Sequence, residues 1–220
     1  MIICVAAGGS IKDAANLPRC DIAVFGFKGL GEVDYESELR GVTDKFEDCA
    51  RLSKTAGCGV VCACKTKSRG ILRKSVAVAD RGKLLGISDM THVIDCEDWK
   101  SGAGLGFYSV GGYKIGLIVE NDLLFPECFN SLSLCGCNLI IAVAEELKDN
   151  VPPLLIRAYS YLYGVPVVMC AGNMAYFSEV SGAIAGSAQQ FSMFEITPQN
   201  RYHLITSRTR GLFVDGREDY

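Results

Sequence analysis

Charge of one sign is not in surplus in this 220-residue chain: 22 lysines and arginines face 25 aspartates and glutamates, a net charge of -3. Without a basic run there is no electrostatic footprint for tracking a phosphate backbone, so nucleic acid is not expected as a partner. No apolar run approaches the ~18 residues of a membrane span, and residues 1–7, though apolar, have neither the charged flank nor the length of a secretory signal. No membrane association is expected. Histidine is scarce. His92 and His203 have no serine or cysteine at a spacing that suggests a triad, and no Gly-x-Ser-x-Gly elbow occurs. Proline numbers only six and no Pro/Ser-rich linker interrupts the chain, so a single unit over residues 1–220 is expected.

Cysteine, in contrast, is abundant. Eleven is an odd count in a chain whose 49% hydrophobic content can fill a core without staples, which suits a reducing, cytoplasmic setting where thiols act as small apolar side chains. Cys58, Cys62 and Cys64 share one parity of a strand-like run and would face one side. Neither Cys62-Ala63-Cys64 nor Cys135-Gly136-Cys137 supplies the C-x2-C pairs of a zinc site, so packing is preferred over metal and no cofactor is expected.

Apolar runs closed by glycine predict strands at 1–7, 20–25, 59–64, 138–144 and 165–171, with shorter ones at 181–186, 191–196 and 202–206. Asp80-Arg81-Gly82 and Gly111-Gly112 each sit between two such runs and predict hairpins. Helical spacing predicts helices from Asp44 to a stop at Gly57, from Pro126 to Cys135, and over 152–163 before Gly164. Strands joined by both hairpins and helices do not fit one parallel sheet; two mixed sheets with helices outside bury the pattern better. The glycines of Gly102-Ala103-Gly104-Leu105-Gly106 do not lie between strand and helix, and Gly8-Gly9-Ser10 lacks a phosphate-loop lysine, so both read as turns.

The informative stretch runs Gly112-Tyr113-Lys114-Ile115-Gly116-Leu117-Ile118-Val119-Glu120-Asn121-Asp122-Leu123-Leu124-Phe125-Pro126-Glu127, a strand turning sharply into a helix. It resembles the nucleophile elbow of the nitrilase (carbon-nitrogen hydrolase) superfamily. Cys20-Asp21-Ile22-Ala23-Val24-Phe25-Gly26-Phe27 is similar to that family's second strand, Gly86-Ile87-Ser88-Asp89-Met90-Thr91-His92-Val93 to the end of its first hairpin, and residues 165–173 to a later strand. The resemblance implies a four-layer α-β-β-α sandwich, and a helix-face homo-oligomer, a dimer, as its assembly. It also implies a cysteine nucleophile, a glutamate base and an oxyanion-binding lysine. Carried over by position, the glutamate falls on Phe27, the lysine on Met90 and the cysteine on Glu120. A phenyl ring takes no proton, a thioether offers no charged donor, and a carboxylate is a poor acyl acceptor. Lys28, Glu32 and Cys128 lie near these positions, but no single shift restores all three.

The expected function is therefore that of a divergent, non-catalytic relative binding a small molecule or a protein partner. The alternative is a hydrolase of amide or nitrile C-N bonds using a remodelled site around Glu120. Glu120, Glu97 or Asp98, Asp122, His92 and Asn173 are the ligand-binding candidates. Glu120 itself has two readings: an anionic group near the Pro126 helix that binds an amine or acts as a base, or a carboxylate paired with a nearby donor. The shortened segment between Gly8 and Cys20 predicts an apolar sheet face left for a second subunit to cover.

Overall fold

The computed structural model describes residues 1–94, 98–147 and 149–198, and the backbone of two short paired strands at Arg201–His203 and Ser207–Thr209. The first half runs β1 (Ile2–Ala6), a 3-10 turn (Ile11–Asn16), β2 (Ile22–Phe25), β3 (Gly31–Asp34), α1 (Tyr35–Leu39), α2 (Lys45–Ala56), β4 (Gly59–Ser68), β5 (Ile71–Asp80) and β6 (Lys83–Asp89). The second runs β7 (Phe107–Val110), β8 (Tyr113–Val119), a 3-10 turn (Glu120–Leu124), α3 (Pro126–Leu134), β9 (Leu139–Ala144), α4 (Val151–Tyr163), β10 (Val167–Ala171), β11 (Met174–Ser178), β12 (Ile184–Ser187) and β13 (Ser192–Glu195).

One sheet has the order β13-β1-β2-β4-β5-β6, with β3 alongside the far end of β4; the other has the order β12-β11-β10-β9-β8-β7. Parity sorts the side chains. Ile3, Val5, Ile22, Val24, Val61 and Val76 face Ile115, Leu117, Ile141 and Val168 between the sheets. On the outer face of the first sheet, Cys4, Ala23, Cys58, Cys62, Cys64 and Ala77 pack with Cys49 of α2. On the outer face of the second, Ile118, Ile140 and Met169 pack with Phe129 and Leu132 of α3 and Ile156 and Tyr159 of α4. Helix, sheet, sheet and helix layers result, the expected α-β-β-α sandwich.

The cysteine abundance has its explanation here. The first sheet's cover is thin, one full helix plus the 3-10 turn, and small Cys and Ala side chains let that cover lie close. Ten cysteines among the described residues are free thiols. The same packing corrects the expectation for residues 8–20: Ile11 and Leu17 of the short segment pack on this face, and Cys4, Ala23 and Phe25 are fully buried beneath it.

Local signals account for most element ends. Gly57 (φ 66°) stops α2, Gly136 (φ 75°) follows α3, and Gly164 (φ 65°) ends α4. Hairpin turns carry positive φ at both central residues, Arg81-Gly82 as anticipated and also Arg69-Gly70, which joins β4 to β5 and extends β4 to Ser68. An arginine in left-handed backbone is not a customary turn signal, so that hairpin was not foreseen; neither were β3, α1 or β11. Asp44 makes no side-chain cap on α2. Glu38 of α1 does so instead, its two carboxylate oxygens accepting from the backbone N–H of Lys45 (3.1 Å) and Phe46 (3.2 Å).

Candidate functional site

The site forms where β8 and β9 end side by side. These strands pair in parallel with Val119 opposite Val143, so Glu120 emerges abreast of Ala144 and next to Glu145. Glu120 holds φ at 51°, a left-handed conformation that costs a non-glycine residue roughly 1–3 kcal/mol and re-aims the chain from strand into the 3-10 turn and α3. Its carboxylate accepts a short hydrogen bond from the Glu145 N–H and pairs with Lys74 Nζ at 3.4 Å.

Lys74 comes from the opposite sheet. On β4 and β5 the residues of inward parity are Val61, Ala63 and then Lys65, and Val78, Val76 and then Lys74, so both lysines point between the sheets where the apolar rows stop. They are direct cross-strand partners, a like-charge pair that would be repulsive on its own. Glu145 resolves this by pairing with both, with Lys65 closely and with Lys74 at 3.7 Å. The Trp99 ring lies against both ammonium groups, 5.4 Å from Lys74 and 5.9 Å from Lys65. The Lys74 and Glu120 side chains are only 12% and 13% exposed. Burial raises the Glu120 carboxyl pKa above its ordinary value, against the opposing pull of Lys74 and of the Glu145 amide.

Phe27 and Met90, the other two positions of interest, are buried in the same inter-sheet cluster as Val119. Those two positions hold hydrocarbon and thioether, neither of which can exchange a proton. Phe27 also borders a cleft of about 690 Å³, lined with it by Lys28, Glu32, Lys65, Glu145 and Asn173 among others. Asn173, just past β10, accepts from Lys28 Nζ at 3.4 Å. Its amide fits because residue 8 is glycine: a Cβ there would stand 2.9 Å from Asn173 Oδ1. Glu120 communicates with the cleft through Glu145, which lines it.

Of the remaining candidates, Asp98 is exposed and Glu97 lies outside the described residues. Asp122 and His92 meet each other away from the cleft lining. Asp122 Oδ1 accepts from the Thr91 hydroxyl (2.6 Å), the His92 N–H (2.8 Å) and His92 Nδ1 (2.8 Å), and the Thr91 N–H donates to both carboxylate oxygens at 3.0 Å. Cys128 Sγ lies 3.7 Å from the same Nδ1. Thiol, imidazole and carboxylate are therefore together, yet not as a nucleophilic relay: a relay uses both ring nitrogens, and here one nitrogen meets both partners. Burial also pushes the Cys128 thiol up to about 12.

Sequence reading missed Lys65, Lys74, Glu145 and Trp99. Lysines on the inward parity of two adjacent strands were the available signal for the first two. Glu145 and Trp99 carry none, because loops bring them in.

No family model and no curated protein matches the sequence. Solved structures do match in shape. The NitN amidase from Nesterenkonia sp. AN1 superposes with a TM-score of 0.70 at 15% identity, over 88% of this chain and 91% of that one. A variant of the amidase from the same organism, showing covalent addition of the acetamide moiety of fluoroacetamide at its active-site cysteine, gives 0.72 at 15% identity, over 88% of each chain. A further variant in complex with butyramide gives 0.70 at 14% identity over the same shares. The chain has the fold of nitrilase-superfamily amidases.

Proposed function

We propose that this chain, carrying the fold of carbon-nitrogen hydrolases, binds a small polar molecule in the 690 Å³ cleft and does not run cysteine hydrolysis. One observation carries the reading: at the elbow a carboxylate is committed to Lys74 and the Glu145 N–H, and Phe27 and Met90 are buried in the apolar core between the sheets. A nucleophile must present its attacking atom to substrate; Glu120 has one carboxylate oxygen on the Glu145 N–H and the other on Lys74, and the cleft lining holds Glu145 in its place. Among the described residues the buried thiols offer no substitute. Burial raises the pKa of Cys49, Cys62, Cys64, Cys128 and Cys170. Cys4, lowered because the Cys20 thiol donates to it, is fully buried on the outer face of the first sheet.

The cleft has the size of a small-molecule site rather than of a protein-docking surface. Its walls offer both signs of charge, Lys28 and Lys65 against Glu32 and Glu145, with the Asn173 amide between. That lining suits a compact ligand bearing an amine together with a carboxylate or amide. A thermal-shift panel of amino acids, free amides and short carboxylates tests this. A ligand at 100 times its Kd adds about 2.7 kcal/mol of stability, and Asn173→Ala or Lys28→Ala should abolish that shift. Amides, nitriles and carbamoyl compounds should release no ammonia. Turnover that Glu120→Ala removes would establish a remodelled hydrolase instead.

A dimer is proposed as the assembly. Leu154, Ala158, Tyr161 and Leu162 form one outward stripe of α4, with Leu154 62% and Leu162 49% exposed. Light scattering should give a particle of about twice 23.7 kDa, and Leu154→Glu should halve it; a native chain that runs as a monomer at high concentration refutes the dimer.

A further inference from the structure

We propose that His92, Asp122 and Cys128 form a binding site for a divalent transition-metal ion of the zinc type, separate from the cleft. One ligand atom from each of the three lies within 4.8 Å of the others, and they are of three kinds: an imidazole nitrogen, a carboxylate oxygen and a sulfur. That mixture suits zinc, which is borderline in softness and takes four ligands without geometric preference of its own.

Charge balance supplies a second reason. The Asp122 side chain is 1% exposed, and among the described residues no lysine or arginine lies within ion-pair distance of it; His92 is its one basic neighbour. A buried carboxylate with no lysine or arginine partner leaves a demand for positive charge. A divalent ion meets it, and Cys128, 2% exposed, becomes its thiolate ligand.

Geometry agrees. The Sγ to Nδ1 separation of 3.7 Å is close to the roughly 3.6 Å that sulfur and nitrogen ligands span across a tetrahedral zinc. Oδ1 and Nδ1, now 2.8 Å apart, need to open by about half an ångström to span the ion. The supporting contacts already exist: Thr91 and His92 backbone N–H groups orient the carboxylate, and Phe125 stacks on the His92 ring at 3.8 Å and 16°. On binding, the thiol proton leaves to solvent, Nδ1 gives its lone pair and the ring proton resides on Nε2. Three protein ligands leave one position for an exchangeable water, on a site that the His92 side chain, 33% exposed, connects to solvent. The ion joins the segment after Met90 to the elbow and to α3, bracing the mouth of the fold without entering the cleft.

The test uses the full chain, stripped by chelator and titrated with Co(II), then competed with Zn(II). Expected are one equivalent bound, visible d–d bands of tetrahedral cobalt, and a near-ultraviolet sulfur-to-cobalt band of one thiolate, all displaced by zinc. Cys128→Ser should erase the sulfur band and weaken affinity at least about 100-fold, more than the 10–100-fold cost of losing an outer partner. Cys135→Ser, which removes the exposed thiol, should change nothing. If Cys128→Ser does not fold, His92→Gln on the partly exposed ring should show the same affinity loss. No cobalt uptake by the folded chain, or a sulfur band that survives both Cys128→Ser and His92→Gln, overturns the site.

Discussion

Glu120→Ala should lower stability by about 3–5 kcal/mol, the cost of breaking a buried ion pair from one side. Lys74 would keep its 3.7 Å contact with Glu145 and the Trp99 ring but lose its nearer carboxylate, and the Glu145 N–H would lose its acceptor. The double variant Glu120→Ala, Lys74→Met should recover most of the loss, because it removes the stranded charge as well. Urea unfolding of the four chains measures this; additive losses would mean that the pair does not couple. The pH dependence has a definite sign. Folding raises the Glu120 pKa above its ordinary value near 4.5, so the native state holds this proton more tightly than the unfolded chain does. The stability gained from it is complete below that ordinary value and is lost as pH rises through the raised one. Glu120→Gln keeps an acceptor for the Glu145 N–H and carries no proton to lose, so its unfolding free energy should lack that decline.

Asp122→Ala should be at least as damaging. The Thr91 N–H, the Thr91 hydroxyl and the His92 N–H all converge on this one carboxylate, and removing a charged acceptor strands partly buried donors at about 1–3 kcal/mol each. A loss of roughly 4–6 kcal/mol is expected, enough to leave many domains of this size unfolded at 37 °C. Asp122→Asn, which retains one acceptor oxygen, should lose less than half as much. Far-UV circular dichroism with thermal melts distinguishes the two. Equal, small losses would show that the Thr91-His92 turn holds without Asp122.

The contrast between Glu120 and Asp122 bears on the cleft. Two residues apart, they leave the elbow in different directions, one toward Lys74 and Glu145, the other toward Thr91 and His92. Left-handed backbone at Glu120 is what separates them. In a strand their like parity would have kept them on one face.

Local chemistry was enough for the frame of this protein. Periodicity, paired turn residues and glycine stops mark the strands from Ile2–Ala6 to Val167–Ala171 other than β3, and the helices α2, α3 and α4, because those signals act within a few residues of where they are written. Phe27, Met90 and Glu120 stand out only through the resemblance to the carbon-nitrogen hydrolases, although their side-chain chemistry is plain whatever surrounds them. Long-range placement decided the rest. Lys74 and Lys65 meet Glu120 and Glu145 across two sheets, and Cys128 meets His92 across a separation of 36 residues. An ion pair or a shared proton depends on a few ångströms between side chains far apart along the chain, and only packing two sheets face to face sets that distance.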